Sequence, residues 1–63
     1  MSAFLEGFAA VTGFSPREAE EQWAAFSRQL PDAEIVRIEQ GGRRAGEREG
    51  RKFRAMFPEE SEL

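Results

Sequence analysis

Apolar residues recur at helical intervals through the first half of the chain. Phe4, Phe8 and Val11 fall at i, i+4 and i+7 with Leu5 beside them, so the pattern predicts a helix over Ala3–Thr12 with one apolar face. Ser2 precedes it as an N-cap candidate. Gly13 stands where a left-handed residue ends a helix, and Phe14 follows where an apolar side chain packs back on the last turn.

A second helix is marked more sharply. Ser15-Pro16-Arg17-Glu18 is a capping-box sequence with proline at the first helical position. Ala19, Trp23, Phe26 and Leu30 then make a single stripe, with Glu20, Glu21, Ser27 and Arg28 largely away from it. The spacing predicts that Trp23 belongs to the core. Pro31 ends the helix, because the residue before a proline avoids the helical region.

After Pro31 the pattern forks. Asp32 can cap a short helix burying Ile35 and Ile38, yet the β-branched Ile35, Val36 and Ile38 also suit a strand. Phe53, Met56 and Phe57 cluster at i, i+3 and i+4 of a helix, while Phe53, Ala55 and Phe57 alternate as in a strand. Gly42, Gly46 and Gly50 count against the helix, at about 1 kcal/mol each relative to alanine, and predict a late start or fraying. The strand alternative needs a loop from Gly41 to Gly50, longer than hairpins use. The abundance of Arg, Glu, Lys, Ala and Met favours the helix. The expected fold is all-α: a small three- to four-helix domain with a capped helix pair. The alternative is α+β, with the helix pair packed on a C-terminal β-hairpin. A single domain over 1–57 and an acidic flexible tail over 58–63 complete the expectation.

Charge is segregated along this frame. Residues 1–34 set Arg17 and Arg28 against Glu6, Glu18, Glu20, Glu21, Asp32 and Glu34, a net of −4. Residues 35–54 set seven basic residues against Glu39, Glu47 and Glu49, a net of +4, and Glu59, Glu60 and Glu62 follow. Such asymmetry marks either an interaction surface or a basic segment lying across the acidic helix. The overall charge of −3 argues against a protein built wholly for nucleic acid.

Composition narrows the chemistry. The 63 residues contain no cysteine, histidine or tyrosine, so there is no disulfide, no thiol or imidazole nucleophile–base pair, and no common soft metal ligand. The carboxylates sit on helix faces with no ion-binding loop, so neither an enzyme nor a metal or cofactor site is expected. Gly41-Gly42-Arg43-Arg44 lacks the lysine and hydroxyl of a phosphate-binding loop. No basic leader or long apolar run marks secretion or a membrane span, so the expected compartment is the cytoplasm. A domain this small without a staple relies on good packing or on self-association, a homodimer included.

The functional reading is therefore a small protein-binding module. It acts as an adaptor, or as an inhibitor that occludes a larger complex. The acidic face is Glu18, Glu20 and Glu21. The basic segment Arg43, Arg44, Arg48, Arg51 and Arg54 can clamp carboxylates or phosphates. Phe53, Met56 and Phe57 are candidate apolar anchors. Size and arginine-rich composition suit a phage-encoded protein of host takeover or anti-defence. Two alternatives stand beside this reading: a nucleic-acid-associated regulator using residues 43–54, and a homo-oligomeric structural subunit.

Overall fold

The computed structural model describes residues 2–57, which form four α-helices and no strand. Helix α1 spans Ala3–Thr12, α2 Pro16–Phe26, α3 Asp32–Glu39 and α4 Gly42–Met56, with a 3-10 turn at Ser27–Gln29. The chain is all-α, and the helical branch holds at both forks. The tail expected over 58–63 lies outside the described residues. Among the described residues, no helix is long and apolar enough to cross a membrane.

The local signals act as their chemistry requires. The Ser2 hydroxyl accepts from the Leu5 amide at 3.2 Å, and Gly13 closes α1 at φ +82° with its N–H on the Ala9 carbonyl. The capping box of α2 is complete: Ser15 Oγ accepts from the Glu18 amide at 3.2 Å, and Glu18 Oε1 accepts from the Ser15 amide at 3.1 Å. Between α3 and α4, Gly42 turns the chain at φ +75°, a conformation side chains resist.

Two local expectations are corrected. The regular part of α2 stops at Phe26, four residues short of Leu30. Leu30 is extended ahead of Pro31, so the preceding residues tighten into the 3-10 turn. Ser27, one turn after Trp23, turns inward at 5% exposure rather than away from the stripe, and its hydroxyl donates to the Ala24 carbonyl. Helix α3 begins at Asp32 with Pro31 as its cap and no side-chain hydrogen bond there. Ile35 and Ile38 pack against the core, while Val36 points out.

The glycines of α4 carry the larger correction. They neither delay the helix nor fray it. Gly46 and Gly50 are buried against α1, and Gly7 of α1 is buried against α4. A Cβ on Gly46 would stand 1.8 Å from the Phe4 carbonyl oxygen, and one on Gly7 would stand 2.1 Å from that of Arg43. No side chain fits between these backbones. Neighbours of Gly46 are Phe4 and Phe8, those of Gly50 are Phe8 and Val11, and Arg54 donates to the Val11 carbonyl. Residue numbers thus rise together on both helices, so α1 and α4 run parallel. The backbone contact offsets the propensity cost of about 1 kcal/mol per glycine through close-range dispersion and Cα–H···O contacts.

All seven aromatic residues join in one web. Phe8, fully buried, lies within 6.4 Å of Phe4, Phe14, Trp23 and Phe53 by ring centroid. Phe26 links Trp23 to Phe53 and Phe57. Trp23 is 5% exposed, as its stripe predicts, and its Nε1 donates to Glu39 Oε2 at 2.7 Å. This bond ties α2 to the end of α3. Replacing Glu39 with alanine strips the indole of its acceptor, at an expected cost of about 1 kcal/mol. Denaturation followed by the emission of the single tryptophan checks it; an unchanged midpoint would mean that water replaces the carboxylate without cost.

Candidate functional site

An open cleft of about 510 Å³ lies between the starts of α1 and α2, lined by Ser2, Leu5, Pro16, Arg17 and Glu20, with no nucleophile–base pair among them. The remaining candidate sites are surfaces. The first is the exposed side of α2. Glu20 and Glu21 are exposed there. Glu18 is exposed as well, but its carboxylate already serves the capping box. The structure therefore reduces the acidic face to Glu20 and Glu21 with Glu18 at its edge.

The second surface is α4, whose charges sort radially. Glu49 turns into the packing face and is 4% exposed, with Lys52 Nζ at 3.5 Å and Arg48 Nε at 3.9 Å from its Oε2. Glu47 accepts from Arg43 Nε at 3.2 Å, and Arg43 also reaches Glu6 of α1 at 3.9 Å. Arg54 donates to the C-terminal turn of α1 through the Val11 carbonyl at 3.2 Å, a favourable place for a cation. Arg44, Arg48 and Arg51 are exposed. Among the described residues, Arg44 and Arg51 make no ion pair, and no ion pair joins α4 to Glu18, Glu20 or Glu21. The basic segment lies against α1 rather than across the acidic helix.

The third surface is apolar. Gln22, Ala25 and Phe26 of α2 face Phe53 and Phe57 across an open groove of about 460 Å³. Phe57 is 55% exposed and Met56 beside it 56%. The three candidate anchors thus divide. Phe53 is half-buried and touches the rings of Phe8, Phe14, Phe26 and Phe57, so it forms the floor. Met56 and Phe57 are the accessible part.

Sequence reasoning weighs Phe26, with Trp23, as a partner anchor against plain core, and misses Gln22 and Ala25 as members of this surface. Phe26 sits on the same stripe as Trp23 and reads as core. Its one distinguishing signal is position: it closes the regular part of α2, where the covering layer runs out.

No family model matches the chain, and comparison with curated proteins and with solved structures finds no match.

Proposed function

We propose that the chain is a non-enzymatic binding module, an adaptor or a blocker, that docks another protein on the aromatic groove between α2 and the end of α4. The observation that carries this reading is the solvent exposure of Phe57 and Met56 at the open end of an otherwise packed ring web. A solvated aromatic and a methionine side by side lose apolar burial that a partner would restore. The groove accepts an apolar side chain onto Phe26 and Phe53, and the flexible thioether of Met56 adapts to its shape.

The surroundings specify the partner's chemistry. Gln22 lines the groove with amide donors, and Arg54, which also donates to the Val11 carbonyl, stands three residues before Phe57 at the end of α4. Among the described residues, none that lines the groove is acidic. The matching occupant is an amphipathic segment whose apolar anchor is followed within a turn by a carboxylate, the helix-in-groove mode of recognition. The apolar contact supplies affinity and the cation supplies orientation.

The test compares the wild-type chain with Phe57→Asp in affinity capture from nuclease-treated native lysate, with cross-links mapped on the captured protein. The expected result is a discrete protein held through an acidic–apolar segment by wild type and lost by the variant. Capture that is identical for both chains would discard the groove. A concentration-dependent dimer of the pure chain that Phe57→Asp dissolves would assign the groove to a second copy and overturn the reading.

A further inference from the structure

The sorting of charge on α4 has a consequence independent of the groove. Along a helix of about 100° per residue, Arg44, Arg48 and Arg51 fall within roughly 60° of one another. They lie roughly opposite Ala45, Gly46, Glu49 and Phe53, the side turned to the rest of the fold. The three guanidinium groups therefore form a stripe about 10 Å long on the outermost surface of the domain. The two carboxylates that interrupt the basic run in the sequence lie at the margins of this stripe. Glu49 is 4% exposed and partly neutralises Arg48 from below, its Oε2 3.9 Å from Arg48 Nε, and Glu47 accepts from Arg43 at the α1 edge. What reads along the chain as a mixed segment is, in three dimensions, a face whose most exposed charges are guanidinium groups, with Arg44 and Arg51 outside any ion pair among the described residues.

We propose that this outer face of α4 binds the sugar-phosphate backbone of double-stranded nucleic acid. Three features of the face select that partner. Its charged groups are all arginines, whose planar forks match phosphate oxygens in bidentate fashion. It holds no aromatic or large apolar side chain: Ala55 is its one apolar residue, whereas protein interfaces are built around an apolar centre. The lack of an aromatic also leaves no platform for stacking unpaired bases, which single-strand binders use. A straight cationic ridge without base-reading or stacking groups fits a duplex backbone without regard to sequence. The acidic residues Glu20 and Glu21 lie on another helix, so they oppose such binding only at longer range, where salt screens them.

The test is fluorescence anisotropy of a labelled 20-base-pair DNA duplex titrated with the full chain at 50 and 200 mM salt. About three phosphate contacts give a log–log salt slope near −2.7, so affinity should fall roughly 40-fold between the two conditions. Arg44→Gln/Arg48→Gln/Arg51→Gln, at three exposed positions outside the core, should reduce affinity at least about tenfold while circular dichroism stays unchanged. Glu20→Gln/Glu21→Gln should bind at least as well as wild type. No binding at 50 mM salt would overturn the proposal. So would retention of affinity by the triple variant, or tighter binding to a single strand of the same length. Displacement of the duplex by an equal charge concentration of polyglutamate would also overturn it, transferring the stripe to an acidic protein.

Discussion

Gly46→Ala should destabilise the domain by about 3 kcal/mol or more. The added methyl group would meet the Phe4 carbonyl oxygen at 1.8 Å and the Phe8 amide nitrogen at 2.8 Å. Neither atom belongs to a flexible side chain, so relief requires α1 and α4 to separate along their length. Overpacking ordinarily costs about 1–3 kcal/mol, and a clash between two backbones belongs at or beyond the top of that range. A domain of 63 residues has about 3–9 kcal/mol in total to lose. The gain in helix propensity, about 1 kcal/mol, acts in the other direction and is too small to compensate. Gly50→Ala is the internal control: its Cβ would face Val11 Cβ at 3.1 Å and the Phe8 carbonyl oxygen at 3.2 Å, contacts that a shift of a few tenths of an ångström relieves, and should be milder. Urea denaturation followed by helical circular dichroism separates the two. Equal midpoints for wild type and Gly46→Ala would show that the helices do not meet backbone to backbone.

This contact also marks where sequence reading stops. The elements themselves are legible because their causes are local: the Ser2 and Ser15 caps, the proline at the start of α2 and Gly13 at the end of α1 all act within one turn. The role of Gly46 is not local. Along the chain, glycines four apart in α4 are only a propensity penalty; their compensation lies in Gly7, almost forty residues away, and in the parallel pairing of α1 with α4. The same limit governs the surfaces. Arg44, Arg48 and Arg51 are recognisable as basic residues, but the inward turn of Glu49 follows only from knowing which side of α4 is packed. Conversely, Glu18 is legible twice over, as a surface acid and as a capping residue, and the capping role occupies its carboxylate.

The packing also separates the parts of the molecule that hold its shape from those that face outward. Rigid apposition of α1 and α4 fixes the direction of the arginine stripe, because any rotation of α4 would carry Gly46 off the Phe4 carbonyl. The stripe and the groove occupy different sides of the same helix. The two proposed surfaces therefore do not overlap.

Phe8→Ala should be the most damaging truncation in the aromatic web. Phe8 is fully buried and meets four other rings, with Phe53 edge-on at 5.7 Å and Trp23 edge-on at 5.8 Å. Losing a buried phenyl ring costs about 3–5 kcal/mol, the transfer term plus the cavity it leaves. Collapse is difficult here because Gly46 and Gly50 already hold the backbone beside Phe8 at its closest approach. Phe57→Ala removes the same chemical group from the same web, yet among the described residues Phe57 meets the rings of Phe26 and Phe53 alone and is more than half exposed. Its cost should stay below about 1 kcal/mol, since most of its surface is already in water. Chemical denaturation of the two variants beside wild type measures the contrast. A Phe57→Ala midpoint as low as that of Phe8→Ala would make Phe57 a structural ring. The groove would then lose its accessible anchor, and protein docking there would have to be abandoned. A small loss at Phe57 beside a large one at Phe8 leaves an aromatic that the fold does not need, placed where only a partner can use it.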